Sequence, residues 1–282
     1  MIQAYIELTK PRITWLILVS TAVGYAFGHA GAWNLNALFH TLMGTALIAS
    51  GTAALNQWYE FRADARMLRT KGRPIPSGRL TRRQALIFAT LLSIAGFAEL
   101  LLCVNPLTGF LGLFTLATYL FLYTPLKQRS PHSTTIGAIP GAMPPLIGFA
   151  AASGTLNWQA WALYAILFVW QFPHFYSIAW MYREDYGRAG IRMLPVVEPN
   201  GESTARRILL FSLLLIPVSM APSFLSMTGN IYLAGALLMG LFFLYAAIKL
   251  TRNRTIPGAR SVLRASVVYL PLLYGLMLFD RP

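Results

Sequence analysis

Asn56, Glu60 and Asp64 follow one another at four-residue intervals within the stretch LNQWYEFRADARMLRTKGRPIPSG, residues 55–78. On an α-helix each step of four residues turns by only about 40°, so the three side chains project from one face. An amide oxygen and two carboxylates are hard ligands of the kind that Mg²⁺ prefers, and substrate phosphates commonly complete its coordination. No His or Cys lies near these acids, which argues against zinc. The spacing therefore predicts a magnesium site.

Basic residues are interspersed with these acids and continue beyond them: Arg62, Arg66, Arg69, Lys71 and Arg73. Metal bridging combined with Arg and Lys contacts is what a diphosphate requires, and the segment predicts a diphosphate site. Tyr123 and Lys127, at the end of a later apolar stretch, are expected to meet the same diphosphate. Acids and bases at this spacing also occur on a solvated helix end, and that alternative stays open.

A second segment whose side chains could take part in a reaction reads WQFPHFYSIAWMYREDYGRAGIRMLPVVEPNG, residues 170–201. Glu184 and Asp185 lie just beyond an apolar run and are followed by Arg188 and Arg192. This order of acids, bases and a Pro- and Gly-containing turn is similar to that of the first segment, and it is a weak indication of an internal duplication.

Two polar residues of this second segment lie inside the apolar run itself. Pro173 is expected to kink that helix, because proline lacks the amide donor of the helical ladder. Gln171 and His174 would then lie inside the bundle, where polar groups usually face a cavity. A packing role for His174 is the alternative.

The composition indicates where these residues must be placed. The chain has 282 residues, 56% of them hydrophobic and 11% charged, against roughly 25% charged in soluble domains. Its apolar content, its single cysteine and its many Gly and Pro exclude a disordered chain, a disulfide scaffold and a coiled coil. An all-α integral membrane protein is the predicted fold class.

Nine apolar stretches are long enough to span a bilayer, which takes about 20 residues. They are 13–31, 36–57, 84–104, 106–123, 134–153, 158–181, 208–228, 230–249 and 262–279. Of 23 Lys and Arg, 22 lie in the N-terminus and in every second connection, which marks those segments as cytoplasmic. A nine-helix bundle with a cytoplasmic N-terminus and a periplasmic C-terminus follows. The net charge of +14 is then an orientation signal, and no nucleic-acid partner is expected.

The first stretch lacks a cleavage site, and no amphipathic transit peptide precedes it. We therefore expect a multi-pass protein of the bacterial inner (cytoplasmic) membrane.

Three residues remain outside this scheme. Glu99 lies inside an apolar stretch without an identified partner, His40 lies toward the outer side, and Cys103 is expected to be a small apolar filler.

The motifs together carry a family resemblance. NQWYEFRADARMLRTKGRP resembles the first aspartate-rich motif of the UbiA superfamily of intramembrane prenyltransferases. The pattern DxxMxRTxxRPxPxG from Asp64 to Gly78 is similar to that of protoheme IX farnesyltransferases (heme O synthases). Also similar are TKPRITWLIL at 9–18, YTPLK at 123–127, WQFPHF at 170–175 and DYGRAGIRMLPVV at 185–197. The resemblance runs in order from about residue 5 to the last span, which implies one transmembrane prenyltransferase domain over 1–282.

The resemblance implies an activity and a set of site residues. The activity is transfer of farnesyl from farnesyl diphosphate to heme b (protoheme IX), with addition of water, giving heme O and diphosphate. The implied cofactor is Mg²⁺, and the enzyme is expected to lie in the lipid bilayer. The implied recipient of the product is heme A synthase or a heme-copper oxidase. The implied catalytic and metal-binding positions are Asn56, Glu60, Asp64 and Asp185; the diphosphate contacts are Arg66, Arg69, Lys71, Arg73, Tyr123, Lys127 and Arg188; Gln171 and His174 are assigned to heme.

The chain also departs from the family pattern. Glu60 stands where Asp is usual, Arg62 where another acid is common, and Met181 stands four residues before Asp185 where quinone-type members show a second acid. The missing second acid argues against an enzyme of the quinone type and leaves the number of metal ions open. A prenyltransferase acting on a quinone precursor or another ring is still the nearest alternative. A secondary transporter is the alternative of another class. It is disfavoured because six of nine acids lie in or beside cytoplasmic loops rather than at the bilayer midplane.

Overall fold

A computed structural model describes residues 1–29, 31 and 33–282 of the chain, and over these residues the protein is entirely helical. The helices are α1 (Ile2–Leu8), α2 (Pro11–Gly28), α3 (Leu35–Arg66), α4 (Arg82–Cys103), α5 (Pro106–Ala117), α6 (Thr124–Leu126), α7 (Ser133–Gly141), α8 (Met143–Ser153), α9 (Trp158–Met181), α10 (Arg183–Arg188), α11 (Leu194–Val197), α12 (Glu202–Phe224), α13 (Asn230–Asn253) and α14 (Ile256–Phe279). A π-helical turn, Thr118–Tyr123, joins α5 to α6.

Within the described residues, 8 helices or joined helix pairs are long and apolar enough to cross a membrane: α3, α4, α5 with α6, α7 with α8, α9, α12, α13 and α14. The first predicted span, 13–31, corresponds to α2 and includes Ala30, which lies outside the described residues. α2 is not among the 8 because its 18 residues begin with Pro11 and Arg12. The ninth span and the orientation of the termini therefore stay predictions.

Several element boundaries differ from the sequence expectation. The helix that contains the apolar stretch 36–57 is longer than that stretch, because α3 continues as one helix to Arg66. The stretches 230–249 and 262–279 are also shorter than their helices, since α13 ends at Asn253 and α14 begins at Ile256. The stretch 134–153 is divided at Ala142, where Pro144 and Pro145 begin α8 and supply no amide donors to the preceding turn.

Close helix packing holds α2 against α8. A Cβ at Gly148 would lie 1.8 Å from the Thr21 carbonyl oxygen, and one at Gly24 would lie 2.1 Å from that of Pro145. Lipid tails are as apolar as the helices, so association depends on packing of this kind rather than on escape from water. Small residues let these two backbones touch.

The buried apolar residues form three groups. The largest involves α2, α5, α7–α9 and α12–α14, and a second packs α1 against α3 and α4. The third group, which includes Ala63, Met67, Ala189 and Ile191, packs the end of α3 against the segment between α9 and α12. This third group brings together the two segments that contain the candidate site residues, 55–78 and 170–201.

Candidate active site

α3 carries the predicted metal-ligating face as a buried row. Asn56, Glu60 and Asp64 are 2%, 7% and 0% exposed, although two of them are acids. The Asn56 side-chain amide donates to Glu60 Oε2 over 3.0 Å, so adjacent turns are linked. Gln57 on the next face donates to the Leu8 carbonyl over 2.9 Å, which fastens α1 to α3 beside the row. Buried carboxylates require compensating charge.

Two cations supply that charge. Lys127 Nζ lies 3.0 and 3.1 Å from the two carboxylate oxygens of Glu60. Arg73 Nη1 lies 2.8 and 2.7 Å from the two oxygens of Asp64. Desolvation is the largest single influence and lowers the pKa of Lys127, but Glu60, Tyr123 and Tyr119 together outweigh it, so the pKa is raised and the ammonium stays charged.

The π-helical turn positions Lys127. It presents the Tyr123 ring 4.4 Å from the Lys127 ammonium, in cation–π geometry. Thr124 donates to the Tyr119 carbonyl over 2.8 Å, and its hydroxyl accepts from the Asn56 amide over 3.3 Å. π-turns interrupt helices at functional sites with some frequency. Here the turn joins Tyr123 and Lys127 to the acidic row of α3.

Lys10 is a site residue that sequence reasoning missed. Its ammonium lies 3.5 Å from Asn56 Oδ1, at the point where α1 gives way to α2. Desolvation, with repulsion from Arg73 and Lys127, lowers the pKa of Lys10 to about 7. The motif TKPR contained the signal, but a lysine before an apolar span is equally typical of topology.

Asp185, on α10, faces the residues that follow α3. Its two carboxylate oxygens accept from the backbone amides of Leu68 and Arg69, over 3.1 and 3.2 Å, and Arg188 pairs with the same carboxylate. Burial raises the pKa of Asp185, but the bonds from Arg188 and the two amides outweigh it, and the pKa is lowered. The Arg192 amide also donates to the Lys127 carbonyl over 2.8 Å. The second segment is thus tied to the first.

The structure distributes the predicted diphosphate contacts among different positions. Arg73, Tyr123 and Lys127 lie against the acidic row, and Arg188 binds Asp185. The Arg69 guanidinium lies 5.1 Å from the Tyr182 ring and donates to the Tyr186 hydroxyl over 3.4 Å. Arg66 and Lys71 are exposed to the surroundings.

Gln171 and His174, the predicted heme residues, contact different helices. Buried Gln171 donates to the Ala138 carbonyl of α7 over 3.2 Å. His174 Nδ1 lies 2.8 Å from the Ser266 hydroxyl of α14, and its ring stacks on Trp170. α9 runs as a helix through Pro173. The two side chains therefore bind different neighbouring helices, and their role toward heme stays a prediction.

The donor types at the α3 row fit Mg²⁺, since all are hard oxygens and all are buried. Their present partners are cations, however. In the described part of the chain, Glu60, Asp64 and Asp185 do not come together within metal-binding reach. A metal ion at this row would replace Lys127 and Arg73 on the carboxylates, which frees both cations for another anion.

Comparison with known proteins gives consistent matches. The model of the UbiA prenyltransferase family matches residues 17–268. A protein named protoheme IX farnesyltransferase from Solibacter usitatus (strain Ellin6076) is 63% identical over 287 residues, which cover 99% of this chain and 98% of that protein.

Solved structures share the fold. A structure described as digeranylgeranylglyceryl phosphate synthase superposes with a TM-score of 0.83 at 16% identity, covering 99% of this chain and 98% of that one. A UbiA homolog from Archaeoglobus fulgidus bound to DMAPP and Mg²⁺ superposes with a TM-score of 0.72 at 16% identity, covering 98% of each chain.

Proposed function

The chain belongs to the UbiA prenyltransferase family, and on this premise we propose that it transfers the farnesyl group of farnesyl diphosphate to protoheme IX. The products are heme O and diphosphate. The observation that carries the proposal is the 63% identity, over 99% of this chain, with a protoheme IX farnesyltransferase. The geometry of the α3 row supports the diphosphate half of the reaction.

In this proposal, Asn56, Glu60, Asp64 and Asp185 hold Mg²⁺, as hard oxygen donors on two adjoining segments. Held there, Mg²⁺ would supply positive charge that stabilises the leaving diphosphate. The relative from Archaeoglobus fulgidus that binds DMAPP and Mg²⁺ has the same fold and so supports a metal-dependent reaction.

The cations of the site would change partners, from the carboxylates to the diphosphate. Lys127 and Arg73 each bind a carboxylate in this structure, and both would turn to the diphosphate once Glu60 and Asp64 ligate metal. Lys10 reaches the same row and adds a third contact. These charges are preorganised where negative charge appears during C–O cleavage. Arg69 and Arg188 lie at the junction with the second segment and complete the basic lining, and Arg66 and Lys71 remain predicted contacts.

The bond between C1 of farnesyl and the diphosphate oxygen breaks, and its electron pair leaves with the diphosphate. The vinyl π-electrons of protoheme form the new carbon–carbon bond to C1. Water adds to the resulting porphyrin side-chain cation and loses a proton, which gives the hydroxyethylfarnesyl group.

We further propose one domain over residues 1–282, nine spans, a cytoplasmic N-terminus, a periplasmic C-terminus and a location in the bacterial inner membrane. The segregation of 22 of 23 basic residues into alternate connections supports this orientation, and the bacterial relative is consistent with the location. Handover of heme O to heme A synthase or a heme-copper oxidase is proposed from the family resemblance alone.

The experiment offers purified protein in lipid nanodiscs a choice of acceptor. Farnesyl diphosphate and Mg²⁺ are supplied with heme b or with 4-hydroxybenzoate, and the products are read by mass spectrometry. Heme O from the first mixture, with no prenylated benzoate from the second, is the expected result. Prenylated benzoate alone would reassign the acceptor. Solute flux in proteoliposomes without diphosphate release would support a transporter instead.

A further inference from the structure

A second cluster of ligand-type side chains lies far from the candidate active site. It comprises His40 on α3 together with Glu99 and Cys103 on α4. His40 Nδ1 lies 2.7 Å from Glu99 Oε1, and one ligand atom from each of the three residues lies within 4.8 Å of the others. His40 precedes Glu60 by 20 residues along the same helix, which is about 30 Å. The cluster thus occupies the opposite end of α3.

The packing of α3 on α4 fixes the spacing of these side chains. A Cβ at Gly96 would lie 2.8 Å from the Gly44 carbonyl oxygen and 2.4 Å from the Ile48 amide nitrogen. The backbones are therefore in contact within about one turn of His40 and Glu99. Sites built on packed helices hold their ligands more precisely than sites on loops.

His40 alone would be a sufficient hydrogen-bond partner for the Glu99 carboxylate on the apolar helix α4. Cys103 is not required for that pairing, yet it follows Glu99 by four residues, on the same face of α4. Imidazole, carboxylate and thiolate together are a ligand set used by transition metals, whereas Mg²⁺ and Ca²⁺ prefer oxygen alone. The set differs in kind from the all-oxygen row at the other end of α3.

From this geometry we propose that His40, Glu99 and Cys103 form a zinc site. A carboxylate and a thiolate together carry two negative charges, which the two positive charges of Zn²⁺ neutralise. A neutral site is favoured in an apolar bundle, because desolvating a net charge costs free energy. A monovalent ion would leave one negative charge. Three protein ligands leave one tetrahedral position for water. The site would join the beginning of α3 to the end of α4.

Cobalt substitution tests the proposal directly. Co²⁺ added to the metal-free, full-length protein in detergent should give the intense thiolate-to-cobalt charge-transfer absorption of a tetrahedral site. Cys103 is the single cysteine of the chain, so the signal has one source. Cys103→Ser should abolish it, whereas Glu60→Gln, which alters only the active-site row, should retain it. Absence of the band in the unmodified protein, or its loss in Glu60→Gln, would overturn the proposal.

Thiol protection gives a second readout that needs no change to Cys103, which is exposed. Zn²⁺ should slow alkylation of Cys103 by a maleimide, and a chelator should restore the rate. His40→Gln and Glu99→Gln should each weaken zinc binding by about 100-fold or more, measured by competition with a chromophoric chelator, because the loss of a ligand exceeds the 10–100-fold effect of an outer partner. Alkylation at the same rate with and without Zn²⁺ would contradict the site.

Discussion

Each carboxylate of the candidate site has its own cationic partner. Glu60 binds Lys127, Asp64 binds Arg73, and Asp185 binds Arg188. Before substrate arrives, these pairs place a positive charge beside each buried acid and hold the cations in position. The regular spacing on α3 was predictable from the sequence, because helical periodicity alone determines it. The pairing of Asp185 with the amides of residues 68 and 69 was not, because periodicity does not relate residues more than 100 positions apart.

Asp185→Asn tests the junction of the two segments. The substitution removes a proposed metal ligand and weakens the acceptor for the Leu68 and Arg69 amides. We expect kcat/KM for farnesyl transfer to fall roughly 100-fold, with faster hydrogen exchange at both amides. Glu184→Gln is the matched control, since Glu184 is adjacent but exposed; its activity should stay within about twofold. Equal effects of the two substitutions would refute the assignment of Asp185.

Lys10→Met tests the residue that sequence reasoning missed. Methionine retains much of the side-chain volume but removes the charge beside Asn56. Loss of one charge-assisted contact should raise KM for farnesyl diphosphate by about tenfold or more. Lys249→Met, an exposed lysine at the end of α13, should leave KM unchanged. Steady-state kinetics with saturating heme b provides the comparison, and an unchanged KM in Lys10→Met would remove Lys10 from the site.

At the scale of the elements, the apolar stretches predicted where the long helices lie. They did not predict where those helices end, because the terminal turns contain polar residues. α3 extends to Arg66 because its polar last turns are buried against other segments, which composition does not reveal. The π-turn before Lys127 was likewise not predictable from apolar periodicity. Both features matter to function, since they place the acids and Lys127 opposite each other.

Gly148→Ala tests the α2–α8 contact. An added Cβ would collide with the Thr21 carbonyl, and overpacking of this kind should lower the free energy of unfolding by roughly 1–3 kcal/mol. Gly275→Ala on α14 is the matched control, because nothing lies within 4 Å of its added Cβ. Its expected effect is nil or slightly stabilising. Thermal unfolding of both variants in detergent makes the comparison, and equal midpoints would contradict the packing account.

At the scale of the whole molecule, the basic excess has two roles. Most of it lies in alternate connections, which predicts orientation. Part of it, including Arg73 and Lys127, lies against buried acids and serves the site. The sequence therefore predicted the class of fold, and it predicted the end of the bundle at which the candidate site lies. It did not separate topological cations from catalytic ones, because both are the same residue types in the same loops.

Single-cysteine labelling tests the orientation. In a Cys103→Ser background, Thr155→Cys, between α8 and α9, should react with a membrane-impermeant maleimide in intact spheroplasts. Lys71→Cys, between α3 and α4, should react only after the membrane is permeabilised. Both positions are exposed, so access to the thiol reports the side of the membrane. The opposite pattern would invert the proposed topology.

The central claim is that farnesyl transfer occurs at the acidic row of α3, and Asp64→Asn tests it most directly. The measurement is the joint yield of heme O and diphosphate from heme b and farnesyl diphosphate in nanodiscs, with Mg²⁺ and after chelation. Unmodified protein should form one diphosphate per heme O only with Mg²⁺. Asp64→Asn should still insert in the membrane, but its yield of heme O and diphosphate should be at least about 100-fold lower. Normal turnover in Asp64→Asn, or heme O formation without divalent metal, would contradict the account.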